Sequence, residues 1–499
     1  MSFRRVRSSK LALLRQPIRM LTLVGIALLV CDQAMAQTHR AGSYRGRRAA
    51  AQKPEVMRWR VVPKKRAVSK KDETKLPQYP DDSVSQAEYQ TEVIAADMGE
   101  VYFDEPVYIE SSGIQSSGCD DLPPYSDLYS PLRECVDPRC TRRRSTGAYN
   151  RLVGRAEYLL WWTSGMDAPP LATTSPTGTA QDQAGVLDQL GTSVLFGDDA
   201  YNDRSRSGGR YTIEIWNDDC RSQGWEFSYL SLANETTRFS ASDADRSILA
   251  RPFFNQATNA QDARLIAFPG VVDGSLNIDL STDFQSAEAL YRWTAQGSTC
   301  GRMEYLLGYR FAELDDGISI ADSTLSLAGA TAGTTFDLVD RFDSVNTFHG
   351  GQFGIACHWQ PNRCWSIDLL GKLALGATQR EADVTGRTLV STAAANTENT
   401  GGLLTQGTNI GSYSSDNFAT ITEFGVTINR HFNQNLTANF GYTFLYWNDV
   451  SRAGDQMDLN VNPSQIPPGT LVGPARPAFD FRSTDFWAQG LRFGLELKF

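Results

Sequence analysis

Short and long connections alternate strictly between ten amphipathic stretches in the second part of this 499-residue chain. The stretches are residues 153–163, 209–217, 225–229, 287–293, 303–311, 349–355, 365–375, 417–429, 436–446 and 491–499. Short connections lie near residues 218–223, 295–301, 358–363 and 432–434, and long polar ones near 164–207, 241–273, 315–338, 381–414 and 448–483. Tight turns at one end and large loops at the other are typical of transmembrane barrels. We therefore predict an all-β fold, an antiparallel up-and-down transmembrane β-barrel of about ten strands, or twelve if the loop near 381–414 or 448–483 hides a hairpin.

Apolar and charged residues occupy opposite faces of each stretch, with a period of two. In residues 303–311, for example, Tyr305, Leu307 and Tyr309 oppose Glu304 and Arg310. A charged side chain facing lipid costs up to a few kcal/mol at the membrane midplane, so we expect the charges to face the lumen. The predicted lumen-facing charges are Arg155, Glu157, Arg210, Glu214, Glu288, Arg292, Arg302, Glu304, Arg310, Glu423, Arg492 and Glu496.

Nine of the ten tryptophans fall at predicted strand ends, in two groups. Indole rings settle at headgroup depth, so this grouping predicts an aromatic girdle at each membrane interface. The outer group is Trp161, Trp162, Trp447 and Trp487, and the periplasmic group is Trp216, Trp225, Trp293, Trp359 and Trp365.

Composition excludes two other classes of protein. No run of about 18 apolar residues follows residue 36, which argues against a membrane protein built of several helices. The formal charge is −9 and the pI about 5.2, so no nucleic-acid partner is expected.

The first 36 residues have the pattern of a secretory signal peptide. Six basic residues precede the apolar run 21–30, and Ala34, Met35 and Ala36 follow it. An uncleaved anchor helix is the alternative, but the run has about half of the roughly 20 residues that a span requires. A lipoprotein at Cys31 is disfavoured because Val30 stands where a small residue is needed.

A charged leader, residues 37–149, separates the signal from the barrel, and we predict that it is disordered. Its first part, residues 37–75, is basic. Residues 76–132 are acidic and contain no Lys or Arg. The simplest interpretation is a solvated linker. The alternative is that the basic part binds an anionic envelope polymer. The basic residues concerned are Arg45, Arg47, Arg48, Arg58, Arg60, Lys64, Lys65, Arg66, Lys70, Lys71 and Lys75.

Export also permits disulfides. Six residues separate Cys357 from Cys364, which makes a hairpin bridge between them plausible, and Cys220 and Cys300 would then join two neighbouring turns. None of the cysteine spacings matches a zinc or redox pattern, and the chain has four histidines, so we expect neither a metal site nor a cofactor.

The carboxyl terminus and an internal repeat suggest a family. Leu491, Phe493, Leu495 and Leu497 alternate up to the terminal Phe499, an ending that resembles the signal read by the barrel assembly machinery. Gly154-Arg155-Ala156-Glu157-Tyr158-Leu159-Leu160 recurs as Gly301-Arg302-Met303-Glu304-Tyr305-Leu306-Leu307. With residues 346–354 and 474–477, this pattern resembles the planctomycete beta barrel porin 7 family over roughly residues 150–499. The resemblance implies a porin-like β-barrel in the bacterial outer membrane and brings no catalytic residues.

Ten strands suggest a narrow or blocked lumen, because eight-stranded barrels are just filled by side chains and wide channels appear at sixteen strands or more. We therefore expect a porin-like barrel in outer-membrane lipid, with the leader and the carboxyl terminus in the periplasm, that forms a narrow passive diffusion channel. The alternative is a structural or surface-interaction barrel with a closed lumen. We do not expect an enzyme: Asp337, Asp340 and Asp343 gather near one predicted strand end, but a solvated acidic rim explains them better than a cation site.

Overall fold

The computed structural model describes residues 151–218, 221–298, 301–362, 364–467 and 469–499. The predicted signal peptide, the leader up to residue 149, Cys220 and Cys300 lie outside these residues and stay predictions. Among the described residues, no helix has the length and apolarity needed to cross a membrane.

Ten long strands form the main sheet of the described part of the chain. They are β1 (Leu152–Thr163), β2 (Arg206–Trp216), β3 (Gln223–Ser242), β4 (Val272–Ser298), β5 (Gly301–Ser326), β6 (Thr335–Asn362), β7 (Trp365–Ser391), β8 (Gly411–His431), β9 (Leu436–Val450) and β10 (Thr484–Lys498).

Each of these strands pairs antiparallel with its neighbours in sequence, and β1 pairs with β10. The sheet therefore closes into a ten-stranded up-and-down barrel, which confirms the predicted fold class. One additional strand, Asn396–Thr400, pairs with β7 inside a long loop, so the barrel itself has ten strands rather than twelve.

The two ends of the barrel differ. We call the end with the tight connections 217–222, 299–300, 363–364 and 432–435 the turn end, and the opposite end the loop end. Four loop-end connections, residues 164–205, 243–271, 392–410 and 451–483, are here called the cap.

The cap contains short strands and 3-10 turns. A five-stranded sheet is formed by Ala172–Thr174, Ser193–Phe196, Leu249–Asn255, Ala260–Ala267 and Asn460–Val461, and Met166–Ala168 pairs with Asp199–Tyr201. The 3-10 turns in the cap are Ala453–Gln456 and Pro463–Gln465, and a third, Gly329–Thr331, lies in the remaining loop-end connection between β5 and β6.

Strands β4 to β7 are 26 to 28 residues long, whereas β1 and β2 have 12 and 11. The prediction that residues 315–338 and 381–414 are long loops was therefore wrong in large part, because barrel strands continue into both, whereas the long connection near 241–273 is confirmed as residues 243–271. The reason is an inversion of polarity. In β5 the inner Ile318 and Ile320 are buried, while Ser319 and Ser323 face outward. The strand extensions are rich in Ser, Thr, Asp and Gly, and such a composition is typical of a loop.

Toward the turn end, the outer face of the barrel is apolar. Its exposed residues include Tyr158, Tyr211, Ile213, Phe227, Leu307, Phe353, Val426, Phe440 and Leu495. The inner face at the same level is charged. An apolar outside around a polar inside is the arrangement expected of a barrel wall in lipid.

Candidate functional site

Charged side chains fill the turn-end half of the bore. In the described residues this ionic layer contains eight basic and eight acidic side chains, so its formal charge sums to zero apart from His358. All but Arg155 and Asp368 are less than 10% exposed. The basic members are Arg155, Arg210, Arg292, Arg302, Arg310, Lys372, Arg492 and Lys498, and the acidic ones are Glu157, Glu214, Glu226, Glu288, Glu304, Asp368, Glu423 and Glu496.

Ion pairs in this layer cross the bore. Arg210 on β2 donates to Glu423 on β8 at 2.8 Å, and these strands lie four steps apart around the ring of ten. Arg310 on β5 reaches the same carboxylate at 2.9 Å. Because the pairs join nearly opposite walls, the side chains occupy the centre of the barrel.

One arginine joins several strands at the turn end. Arg292 contacts Glu214 at 2.8 Å and Glu226 at 2.5 Å, and it also pairs with Glu304. Its guanidinium lies 5.4 Å from the ring centroid of Trp216, which is buried. A buried charge must be compensated by partners, and here three carboxylates and an aromatic face supply them.

An apolar layer, here called the septum, lies above the ionic layer. Its 16 described members are at most 3% exposed and come from every barrel strand except β2. On β2 the corresponding residue is Gly208, where a Cβ would meet Leu232 Cδ2 at 2.8 Å. The members are Leu159, Trp161, Leu230, Leu232, Phe284, Ala312, Leu314, Phe348, Ala374, Ala419, Ile421, Leu445, Trp447, Val450, Phe486 and Ala488.

Aromatic rings pack across the septum. The rings of Phe284 and Phe486 are 5.0 Å apart, and those of Phe348 and Trp447 are 6.0 Å apart. The Trp447 indole N–H donates to Thr378 Oγ1 at 3.0 Å, so its polar atom is satisfied. A water-filled bore would leave such inner side chains exposed, whereas those of the septum are at most 3% exposed.

Cap residues and inner wall residues share a second apolar core at the loop end. Leu171, Phe196, Leu249, Phe253 and Met457 of the cap pack with inner wall residues of β3 to β7. The wall residues are Ala241, Leu276, Ile278, Leu280, Ile318, Ile320, Leu338, Phe342 and Val384. The cap thus fills the loop-end mouth.

A small polar cavity of about 30 Å³ opens at the turn end. It has room for one or two water molecules. His358, which contacts Asp368 at 2.8 Å, and His431, which lies 3.1 Å from Ser366 Oγ, both line it. The remaining lining residues include Arg155, Glu214, Arg292, Arg302, Asn429, Thr437 and Glu496.

The structure places all twelve predicted lumen-facing charges on the inner wall, within the ionic layer. Four members of that layer, Glu226, Asp368, Lys372 and Lys498, were not among the predicted site residues. The same two-residue alternation in sequence places them on the inner face.

The predicted tryptophan girdles need correction at three positions. Trp161, Trp216 and Trp447 are 0%, 3% and 0% exposed and lie inside the barrel. The alternation explains this, because Trp161 and Trp162 are consecutive and only one of them can face outward. The structure places the other six, Trp162, Trp225, Trp293, Trp359, Trp365 and Trp487, on the outer face.

The three aspartates near one strand end do not form a site together. Asp340 points inward and is 0% exposed, whereas Asp337 and Asp343 are on the opposite face of β6. Asp343 pairs with Arg341 at 2.6 Å. Within the described ranges, no group of three or more His, Cys, Asp or Glu residues is arranged to hold a metal ion.

Two other sequence predictions remain untested. Cys357 lies on β6 opposite Leu369, and Cys364 directly precedes β7. Cys220 and Cys300 lie outside the described residues. Both predicted pairings, Cys357 with Cys364 and Cys220 with Cys300, stay predictions. Phe499 is 53% exposed, and its N–H donates to the Leu152 carbonyl at 2.9 Å; its role as an assembly signal also stays a prediction.

The family model described as "Putative beta barrel porin-7" matches residues 153–499, which include the whole barrel and cap. The chain belongs to this family. Membership in the beta barrel porin-7 family supports an outer-membrane location. The family description names no solute.

The solved structures to which this chain is similar match it at very low identity and low TM-score. The outer membrane protease OmpT from Escherichia coli is 7% identical, with 71% of this chain and 99% of that chain covered and a TM-score of 0.31. A Pseudomonas aeruginosa FadL homologue is 7% identical, with 70% and 90% covered and a TM-score of 0.20. The Ralstonia pickettii toluene transporter TbuX is 8% identical, with 70% and 90% covered and a TM-score of 0.15. No curated protein matches the chain.

Proposed function

We propose that this chain is a sealed outer-membrane barrel with a structural or surface-interaction role. The observation that carries the proposal is the septum, whose 16 side chains are at most 3% exposed across the bore. The ionic layer below it adds a second obstacle, since its pairs join nearly opposite walls. A narrow passive diffusion channel, the first expectation from the sequence, requires a hydrated path, and the packed septum argues against such a path.

The proposed role is not catalytic. A barrel enzyme needs a general base or nucleophile beside a substrate site. Of the described histidines, His358 and His431 lie at the turn end and His349 is on the outer face beside Tyr309. The buried aspartates of the loop end are bonded to arginines and loop amides.

The cap is the proposed contact surface. In the proposed orientation, the turn end, the leader and the carboxyl terminus are periplasmic, and the cap faces the outside. This assignment follows the general rule that outer-membrane barrels have short periplasmic turns and long outer loops. The alternating residues that end at Phe499 would then be read by the barrel assembly machinery from the periplasmic side.

Solute flux into vesicles tests the sealed bore. The full chain would be refolded into liposomes, with folding verified by heat-modifiable gel mobility, and swelling in a small sugar such as arabinose would be recorded. We expect no swelling above that of empty liposomes. Liposomes that contain an open general-diffusion porin are the positive control and should swell. Swelling of the wild-type protein would contradict the proposal.

The proposal also assigns the basic leader segment, residues 37–75, to an anionic envelope polymer. Its support is the thirteen Arg and Lys residues of the segment, which are the eleven named above together with Arg40 and Lys53. A basic segment without apolar periodicity binds polyanions electrostatically. Deleting residues 37–75 should reduce retention of the protein in the salt-washed cell-wall fraction. A matched deletion in the acidic part, residues 76–110, should not. Equal retention of both variants would count against this role.

A further inference from the structure

Two loop-end connections are fastened to the barrel wall at one buried cluster of charges. The centre of the cluster is Arg251 from the cap strand Leu249–Asn255, Asp322 on β5 and Asp340 on β6. Arg264 from the neighbouring cap strand also contacts Asp322, at 3.2 Å, and its side chain is 21% exposed. Arg251 is 1% exposed, and the side chains of both aspartates are fully buried. The cluster lies inside the loop-end core, above the septum.

Arg251 uses both arms of its guanidinium. Nη1 donates to Asp322 Oδ2 at 2.7 Å, and Nη2 donates to Asp340 Oδ2 at 2.5 Å. Burial by itself lowers the pKa of Arg251, but Asp340 and Asp322 outweigh that effect and raise the pKa above its ordinary value. Arg251 therefore joins one cap strand to two neighbouring wall strands, whereas Arg264 contacts Asp322 alone of the two aspartates.

Asp340 also organises a second cap connection. Its Oδ1 accepts hydrogen bonds from the backbone N–H of Leu404 at 3.0 Å, from the N–H of Thr405 at 2.9 Å, and from Thr405 Oγ1 at 2.6 Å. Leu403, whose N–H lies 3.3 Å from Asp340 Oδ2, is 0% exposed. One wall carboxylate thus positions residues 403–405 as well as Arg251.

The septum does not depend on this cluster. Its members are separated from it by a polar level in which Arg452 pairs with Asp316 and Arg206 lies 2.8 Å from Glu235. The septum is packed from wall residues that lie next to the ionic layer. Leu159, for example, is the next inward-facing residue after Glu157 on β1. Loss of the Arg251 pairs removes nothing from those contacts.

We propose that Arg251, Asp322 and Asp340 form a latch that holds the cap on the wall, and that the barrel has two independent closures, the cap and the septum. Releasing the latch opens the loop-end mouth and exposes the apolar inner wall there, while the septum still blocks the bore. The inference rests on the proposed sealed barrel. It adds that the cap can detach from the loop end while the septum still prevents solutes from crossing the barrel.

Cysteine accessibility separates the two closures. Leu403→Cys reports on the cap and Ala488→Cys on the septum, since both positions are 0% exposed. Each would be placed in the full chain, refolded in lipid nanodiscs and treated with a polar maleimide, with the modified site identified by peptide mass mapping. In the Arg251→Ala background we expect the labelling rate at position 403 to rise at least tenfold and the rate at position 488 to stay unchanged.

The matched control is Arg238→Ala, which removes an arginine–aspartate pair of similar length, 3.1 Å to Asp279, from an exposed site. It should alter neither rate. Arg251→Lys keeps the charge but loses the two-armed geometry, so it should give an intermediate rate at position 403, and it replaces Arg251→Ala if that variant does not fold. An unchanged rate at position 403 in folded Arg251 variants overturns the latch, and a parallel rise at position 488 overturns the independence of the closures.

Failure of the latch and failure of the sealed barrel are distinguishable. Wild-type liposomes that swell contradict the sealed barrel, whatever the labelling shows. Tight liposomes together with unchanged labelling at position 403 contradict the latch alone.

Discussion

Trp161 and Trp162 are consecutive residues with opposite surroundings. Trp161 is 0% exposed, and the guanidinium of Arg210 lies 5.6 Å from the centroid of the Trp161 ring. Trp162 is 37% exposed on the outer face. The pair marks the wall of the barrel at the level of the septum. It also shows that the interior of the barrel is built of large apolar rings as well as ions.

Replacing these two residues separately tests that arrangement. Trp161→Ala leaves a cavity in the septum and should lower the free energy of unfolding by about 3 to 5 kcal/mol. Trp162→Ala removes an outward ring and should cost about 1 kcal/mol or less, since lipid fills the space. Urea unfolding of the refolded protein in lipid vesicles measures both. Equal losses would show that the two rings share one environment.

Arg292 should be among the least replaceable residues of the ionic layer. Arg292→Ala leaves Glu214, Glu226 and Glu304 without their shared cation, and breaking a buried pair in this way costs roughly 3 to 5 kcal/mol. Arg387→Ala is the control, because Arg387 and Glu398 are 61% and 63% exposed and 3.9 Å apart, and such pairs contribute about 1 kcal/mol or less. The same unfolding assay applies. A loss at Arg387 as large as that at Arg292 would contradict the burial of the layer.

Glycine at position 308 is required by close packing of the wall. A Cβ there would lie 2.0 Å from the Ala289 carbonyl oxygen and 2.8 Å from Leu290 Cα, both of which are backbone atoms. Gly308→Ala should therefore reduce the fraction that reaches the heat-modifiable folded form at least twofold, because a backbone clash cannot be relieved by a rotamer change. Gly351→Ala, where a Cβ meets nothing within 4 Å, should fold like the wild type. Normal folding of Gly308→Ala would show that the β4–β5 register differs from the one described.

Much of the barrel could be predicted from the sequence, because the alternation of apolar and polar residues within each strand is a local pattern. Glu304 and Tyr305 fall on opposite faces by alternation alone, and the short connection near residues 358–363 joins strands that are adjacent in space. Strand order in an up-and-down barrel follows chain order, so local patterns were sufficient to predict the closed ten-stranded sheet.

The closures were not predictable in the same way. Arg251 meets Asp322 and Asp340 across 71 and 89 residues of sequence, and nothing local to residue 251 indicates a partner. Ile318 and Ile320 alternate with Ser319 as a strand does, but the apolar side is inside rather than outside at this height. The three inward tryptophans were misplaced for a related reason. Their position along the strand indicates their height in the membrane, but the face of the strand on which they lie decides whether they contact lipid or the barrel interior.

Planar-bilayer recording tests the sealed bore most directly, because it detects the passage of ions through single molecules. The refolded full chain would be inserted into a bilayer in 1 M KCl, with insertion verified by protease protection of the barrel, and current recorded at voltages up to about 100 mV of either sign. The packed septum predicts a flat baseline without discrete conductance steps. Reproducible steps that scale with the amount of folded wild-type protein would contradict it.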